Sequence, residues 1–163
     1  MRTLDCYTRL ANSARKIIKK IKKSSTSNQQ FRHFQQISNI PEYSLAKDCI
    51  VRWGSSYLML SSLLDNKEPL NLMSQMDPTL PCFSPEDWTI IESICEILAP
   101  LHGATLQIQN RRTTISSYIP ICKTIISNYT IRNPTNLLLL KNRIAEGLEK
   151  RLRDWEHKKY VAY

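Results

Sequence analysis

The stretch Leu10-Ala11-Asn12-Ser13-Ala14-Arg15-Lys16-Ile17-Ile18-Lys19-Lys20-Ile21-Lys22-Lys23 decides the fold class. Leu10, Ala14, Ile17, Ile18 and Ile21 recur at helical spacing, and Arg15, Lys16, Lys19, Lys20, Lys22 and Lys23 fall on the other side. This is one basic amphipathic helix, expected to end in the breaker run Ser24-Ser25-Thr26-Ser27-Asn28.

The same period continues through most of the chain. A short helix is expected over Gln29 to Ile37, with Phe31 and Phe34 inward. Cys49-Ile50-Val51 is a β-favouring triplet, too short to build a sheet. Ser55 or Ser56 is expected to cap a helix through Leu58, Met59, Leu63 and Leu64. Pro69, Pro78, Pro81 and Pro85 then punctuate a turn-rich region. Ser84-Pro85-Glu86-Asp87 is a helix start: a serine cap, proline at the first helical position, and two acids on the positive end of the dipole. Trp88, Ile91, Cys95 and Leu98 line that helix, and Ile94 and Ile97 widen its apolar face. Pro100 is expected to kink or split it before Leu101 to Ile108. Thr113 or Thr114 is expected to cap a helix with Ile115, Ile119, Cys122, Ile126 and Tyr129 inward, bent by Pro120. Asn136 to about Lys158 reads as a long helix striped by Leu137, Leu140, Ile144, Leu148, Leu152 and Trp155. The expected class is mainly α, a helical bundle with at most a short strand near 49–51.

Composition narrows the function classes. The chain has 163 residues, 42% apolar and 23% charged, which is the make-up of a globular protein and not of a disordered one. Three glycines argue against a turn-rich barrel or sandwich. No stretch approaches the roughly 20 apolar residues of a membrane span, and no secretory signal opens the chain. A soluble, intracellular protein in a reducing compartment, with no membrane partner, is expected. Cys6, Cys49, Cys82, Cys95 and Cys122 lack the close-spaced pairs of a zinc site, so no metal ligands are assigned and buried thiols are expected.

The net charge of +9 is unevenly placed: +8 over residues 1–40, −6 over 41–110 and +7 over 111–163. This asymmetry fits nucleic acid or another polyanion meeting the basic ends. It equally fits solvated helix faces with the acidic middle docked on those ends. Catalytic chemistry finds little to work with. Glu92 and Glu96 stand one turn apart opposite an apolar face, the pattern of a solvated surface. His102 beside Gly103 is expected in a helix break, and no glycine-rich phosphate cradle or nucleophile elbow occurs. The sharp feature is Arg52-Trp53, just before a helix. Its tryptophan is either a core anchor or a platform for an unpaired base, with arginine and free amides holding phosphate.

Around that pair, Arg52-Trp53-Gly54-Ser55-Ser56-Tyr57-Leu58-Met59-Leu60 with Leu63-Leu64 resembles a segment of hAT-superfamily DNA transposases and their domesticated BED-zinc-finger relatives. Other landmarks resemble the family in the same order. They are the basic helix Arg15-Lys16-Ile17-Ile18 to Lys23-Ser24-Ser25; Asp87-Trp88, Ile91-Glu92, Ile97-Leu98-Ala99-Pro100-Leu101 and Ala104-Thr105; Thr114-Ile115-Ser116-Ser117-Tyr118-Ile119-Pro120; and Tyr160-Val161-Ala162. Ile50-Val51 and Gly54 depart from the family pattern. The resemblance implies a helical insertion beside a ribonuclease-H-like core. Basic helices would occupy 1–47, and 48–163 would be one unit containing the Arg-Trp pair. It implies a nuclear protein whose DNA-binding residues are Arg52, Trp53, Ser55, Arg15, Lys16, Lys19, Lys20, Lys22 and Lys23. The family's divalent metal sits at an acidic triad that falls outside this chain, so no cofactor, no metal site and no enzyme activity are expected here. The other reading is a protein-interaction module that self-associates or docks on a transposase core.

Overall fold

A computed structural model of the chain describes residues 2–49, 53–110, 117–131 and 138–161. Seven α-helices run through these residues: α1 (Arg2–Lys23), α2 (Ser25–Ile37), α3 (Trp53–Leu64), α4 (Lys67–Met76), α5 (Pro85–Gln109), α6 (Tyr118–Ile131) and α7 (Leu138–Val161). No strand occurs among the described residues, as an all-α reading requires. Cys49 is irregular, and Ile50 and Val51, the rest of the expected β triplet, lie outside the described residues.

The chain divides into two compact units, Met1–Cys95 and Glu96–Tyr163, so helices on both sides of residue 47 share the first unit. In that unit α1 packs on α2 and α3, and α4 packs on α2 and α3. The apolar stripe read from the sequence is its centre: Leu10, Ala14, Ile17, Ile18 and Ile21 are all buried. Phe31 of α2, Met59, Leu60 and Leu63 of α3 and Met73 of α4 close around it. Each such side chain contributes about 1.5–3 kcal/mol on leaving water. Leu58, expected inward, is exposed; Leu60 takes its place.

Several boundaries differ from the sequence reading, each for a local reason. The serine run does not separate α1 from α2 by a loop; one extended residue, Ser24, does so. Its hydroxyl caps α2 by accepting from the Ser27 amide at 3.2 Å, and α2 starts at Ser25 rather than Gln29. Asn39, at φ 55°, makes the left-handed turn after α2 and lets the Ile40 amide return to the Gln35 carbonyl. The region around Pro69 is a helix, because proline in a first turn removes an amide that has no intrahelical partner. Trp88 anchors α5 against this part of the unit. It is buried, meets Phe83 edge-on at 5.0 Å and donates from Nε1 to Asn71 Oδ1 at 3.2 Å.

The start of α5 is built as expected. Ser84 Oγ accepts from the Asp87 amide at 3.1 Å, and the Asp87 carboxylate accepts from the Ser84 amide at 3.2 Å. Pro100, however, does not split α5, which runs on to Gln109 and places His102 inside a helix rather than in a break. In the second unit the Tyr129 hydroxyl of α6 donates to the Ile97 carbonyl, next to the Glu96 carbonyl that Pro100 cannot serve. Burial pushes the Tyr129 phenol up to about 12 and the Cys95 thiol likewise to about 12, which marks both as uncharged core groups.

α6 packs on α7. Cys122, Ile125 and Tyr129 are its buried residues, and Pro120 is exposed in its first turn instead of bending its middle. The inward residues of α7 are Lys141, Ala145 and Leu152; of the stripe read from sequence, Leu152 is buried, Ile144 and Leu148 are half-buried and Leu140 is exposed. The expected contributions of Leu137, Ile115, Thr113 and Thr114 lie outside the described residues, as does the side chain of Trp155.

Candidate nucleic-acid interface

The cations of α1 were expected either to meet a polyanion or to pair with the acidic middle of the chain. The fold divides them into two groups. Three basic side chains of this helix are paired with carboxylates of the acidic middle segment. Arg9 meets Asp87 at 2.5 Å, Arg15 meets Asp48 at 2.5 Å, and Lys20 binds both Asp77 and the Thr79 hydroxyl. The hydrogen bond from Lys20, with those from Thr79, holds the Asp77 carboxyl down at about 2. The hydrogen bond from Arg9 likewise lowers Asp87 against the opposing effect of burial. These pairs clamp α1 onto the loops before α3 and α5 and onto the first turn of α5, so part of the basic excess is structural.

The second group converges. Lys19, Lys22 and Lys23 of α1 line an open cleft of about 490 Å³ together with Arg15, Asp48 and Lys47, a residue of the loop before α3. Ile18 and Met59, both buried in the core, line it as well. Burial and the nearby charge of Lys47 both push the Lys22 ammonium below its ordinary value. Two lysines that repel one another across a cleft are stabilised by an anion placed between them. Arg15 and Asp48 cancel, leaving four lysine charges on the rim with no carboxylate partner among the described residues.

Asp48 organises the far side of the cleft. Its side chain is 1% exposed. Arg15 Nε donates to its Oδ2 at 2.7 Å, and the Ser55 and Ser56 hydroxyls lie 2.9 Å from its Oδ1. Burial alone raises this carboxyl, but the bonds from Arg15, Ser55 and Ser56 outweigh it and hold it below its ordinary value. The Cys49 amide donates to Ser55 Oγ at 2.7 Å, which ties the loop to the first turn of α3. Ser55 and Ser56 therefore do not cap α3, which begins two residues earlier, at Trp53.

Of the residues singled out from sequence, Lys19, Lys22, Lys23 and Arg15 come together, and Ser55 is joined to them through Asp48. Lys16 is exposed but not in the cleft, and Lys20 is committed to Asp77. Trp53 is the first residue of α3; its side chain, and all of Arg52, lie outside the described residues. Sequence reasoning missed Lys47 and Asp48, because a loop has no period to betray which residues face a neighbouring helix. Glu92 and Glu96 are both exposed, which fits a solvated face. Among the described residues no group of histidine, cysteine or carboxylate side chains could hold a metal ion, and no helix is long and apolar enough to cross a membrane.

The model of the ZBED1 RNase-like helical domain matches residues 2–97, which include α1 to α4, the cleft and the first half of α5. The chain belongs to this family. It is also similar to the human zinc finger BED domain-containing protein 4, at 27% identity over 112 residues, covering 69% of this chain and 10% of that protein. The chain thus spans about a tenth of the length of this curated relative. No solved structure matches it. The likeness to BED-zinc-finger proteins read from the basic helix and the Arg52-Trp53 segment is borne out for the region that contains both. The landmarks at Thr114–Pro120 and Tyr160–Ala162 fall beyond the matched residues.

Proposed function

We propose that this chain is a nucleic-acid-binding helical domain derived from an hAT transposase, and that its lysine cleft grips the phosphodiester backbone of DNA. The observation that carries this reading is the convergence of Lys19, Lys22, Lys23 and Lys47 on one cleft while neighbouring cations are neutralised. Lysines act on phosphate as point charges, so contacts of this kind position DNA without reading its sequence. In this reading the Arg52-Trp53 pair of the sequence supplies the group on which an unpaired base stacks. The role is binding rather than catalysis, exercised in the nucleus and with DNA as the partner.

Electrophoretic shift of a hairpin or branched DNA across a salt series tests it. Binding is expected to weaken steeply with salt, because each neutralised phosphate releases counterions. Unchanged binding by the Lys19→Glu and Trp53→Ala proteins would remove these residues from the site. The alternative of a protein-interaction module predicts self-association of the DNA-free chain in size exclusion with light scattering.

A further inference from the structure

We propose that Asp48 is a positioning residue for phosphate binding: it joins α1, the loop that carries Lys47 and the first turn of α3 into one cationic surface, although its own charge opposes that of the ligand. The inference rests on the reading of the cleft as a phosphodiester site. Four features carry it. Asp48 is the carboxylate of a cleft whose other charged residues are all cations, and simple Coulomb repulsion makes an anion there a handicap to binding another. Its oxygens are turned away from solvent, with the side chain 1% exposed. They are used instead by donors from two helices: the Arg15 guanidinium on Oδ2 and the Ser55 and Ser56 hydroxyls on Oδ1. Finally, Lys47 lies between two anchors of the same loop, Asp48 on one side and the Ala46 amide, bonded to Ser62 Oγ at 3.0 Å, on the other.

The cost of a negative charge in the site is thus offset by geometry. Arg15 neutralises it, and the shared hydrogen bonds hold Lys47 across from Lys22 where a phosphate can meet both. A neutral amide at this position accepts through one oxygen only and turns its own donors toward Arg15 or the serines.

The experiment compares DNA affinity and its salt slope for full-chain variants by fluorescence anisotropy with a labelled duplex. Asp48→Asn raises the net charge by one, so a purely electrostatic site predicts tighter binding. Positioning predicts the opposite sign, a loss of about tenfold at low salt with the slope of log K against log salt reduced by about one. Asp48→Glu, which keeps the charge, is expected to recover part of that loss. Asp77→Asn removes the same charge from the Lys20 pair outside the cleft and is expected to hold or raise affinity. Should Asp48→Asn fail to fold by circular dichroism, the Ser55→Ala/Ser56→Ala protein replaces it. That variant leaves net charge untouched, so a loss of affinity in it is not an effect of charge. Wild-type or tighter binding by the folded Asp48→Asn protein, or by the serine variant standing in for it, overturns the assignment while Lys22→Glu/Lys47→Glu still abolishes binding. If Lys22→Glu/Lys47→Glu itself binds normally, the cleft is not the site and the underlying reading fails first.

Discussion

The two basic segments of the chain carry similar excess charge and organise it differently. The N-terminal 40 residues hold +8, and residues 111–163 hold +7. In the first unit, Arg9, Arg15 and Lys20 are tied to Asp87, Asp48 and Asp77, and the lysines left over converge on one cleft. In the second, Arg143, Lys150, Arg151 and Arg153 lie at exposed positions along α7, with no ion pair among the described residues. Net charge by itself therefore does not make a site. A site arises where a second element brings its own cation opposite the first, as the Lys47 loop does for α1.

This contrast can be broken at several points. The largest effect is expected in the core of the first unit: Trp88→Ala should cost about 3–5 kcal/mol, by loss of packing and of the bond to Asn71. Leu152→Ala, in the α6–α7 contact, should cost about 2 kcal/mol, near the lower end for such truncations. Urea unfolding followed by circular dichroism measures both, and an equal or reversed order would show that the first unit is not the better packed.

Next in size is the effect on DNA. Lys19→Glu/Lys22→Glu should lower affinity about a hundredfold at low salt, whereas Lys150→Glu/Arg153→Glu on α7 should change it by about threefold or less. Anisotropy titrations would collapse the comparison if the two double variants behaved alike. Within the second unit, Tyr129→Phe should cost about 1–2 kcal/mol, since it leaves the Ile97 carbonyl without its donor in a buried place. A thermal melt unchanged by this substitution would mean that the bond adds nothing.

The smallest expected effect is a pH dependence confined to the first unit. The Asp77 carboxyl is lowered from 3.8 to about 2 by Lys20 and Thr79. A depressed carboxyl stabilises the fold at pH values above its unfolded value and loses that contribution as pH falls through its folded value. Stability should therefore decline between about pH 4 and pH 2, and Asp77→Asn should flatten that decline. An acid titration that runs parallel in the two proteins would remove Lys20–Asp77 as a clamp.

Helical periodicity made much of this fold legible. The α1 stripe and the Ser84-Pro85-Glu86-Asp87 start of α5 follow from residue spacing and capping chemistry, which act within a few residues of chain. Prolines were harder to place. Pro69 and Pro120 look like breakers or kinks in sequence but sit in first turns, and Pro100 is carried within a continuous helix. The stripe of α7 holds at Leu152 and fails at Leu140, because Leu137 to Leu140 is apolar all round and such a run cannot show which side will be covered.

What the sequence by itself determined is the all-α class, the basic face of α1 and the likeness around Arg52-Trp53. Each depends on the order of residues along one helix or one short motif. Which lysines are free, and what stands opposite them, was decided only by the tertiary structure. Asp77 and Asp87 withdraw Lys20 and Arg9, while the loop before α3 brings Lys47 near Lys22. These pairings join residues far apart in the chain, and no local pattern encodes them, because an ion pair depends on distance in space rather than on spacing in sequence.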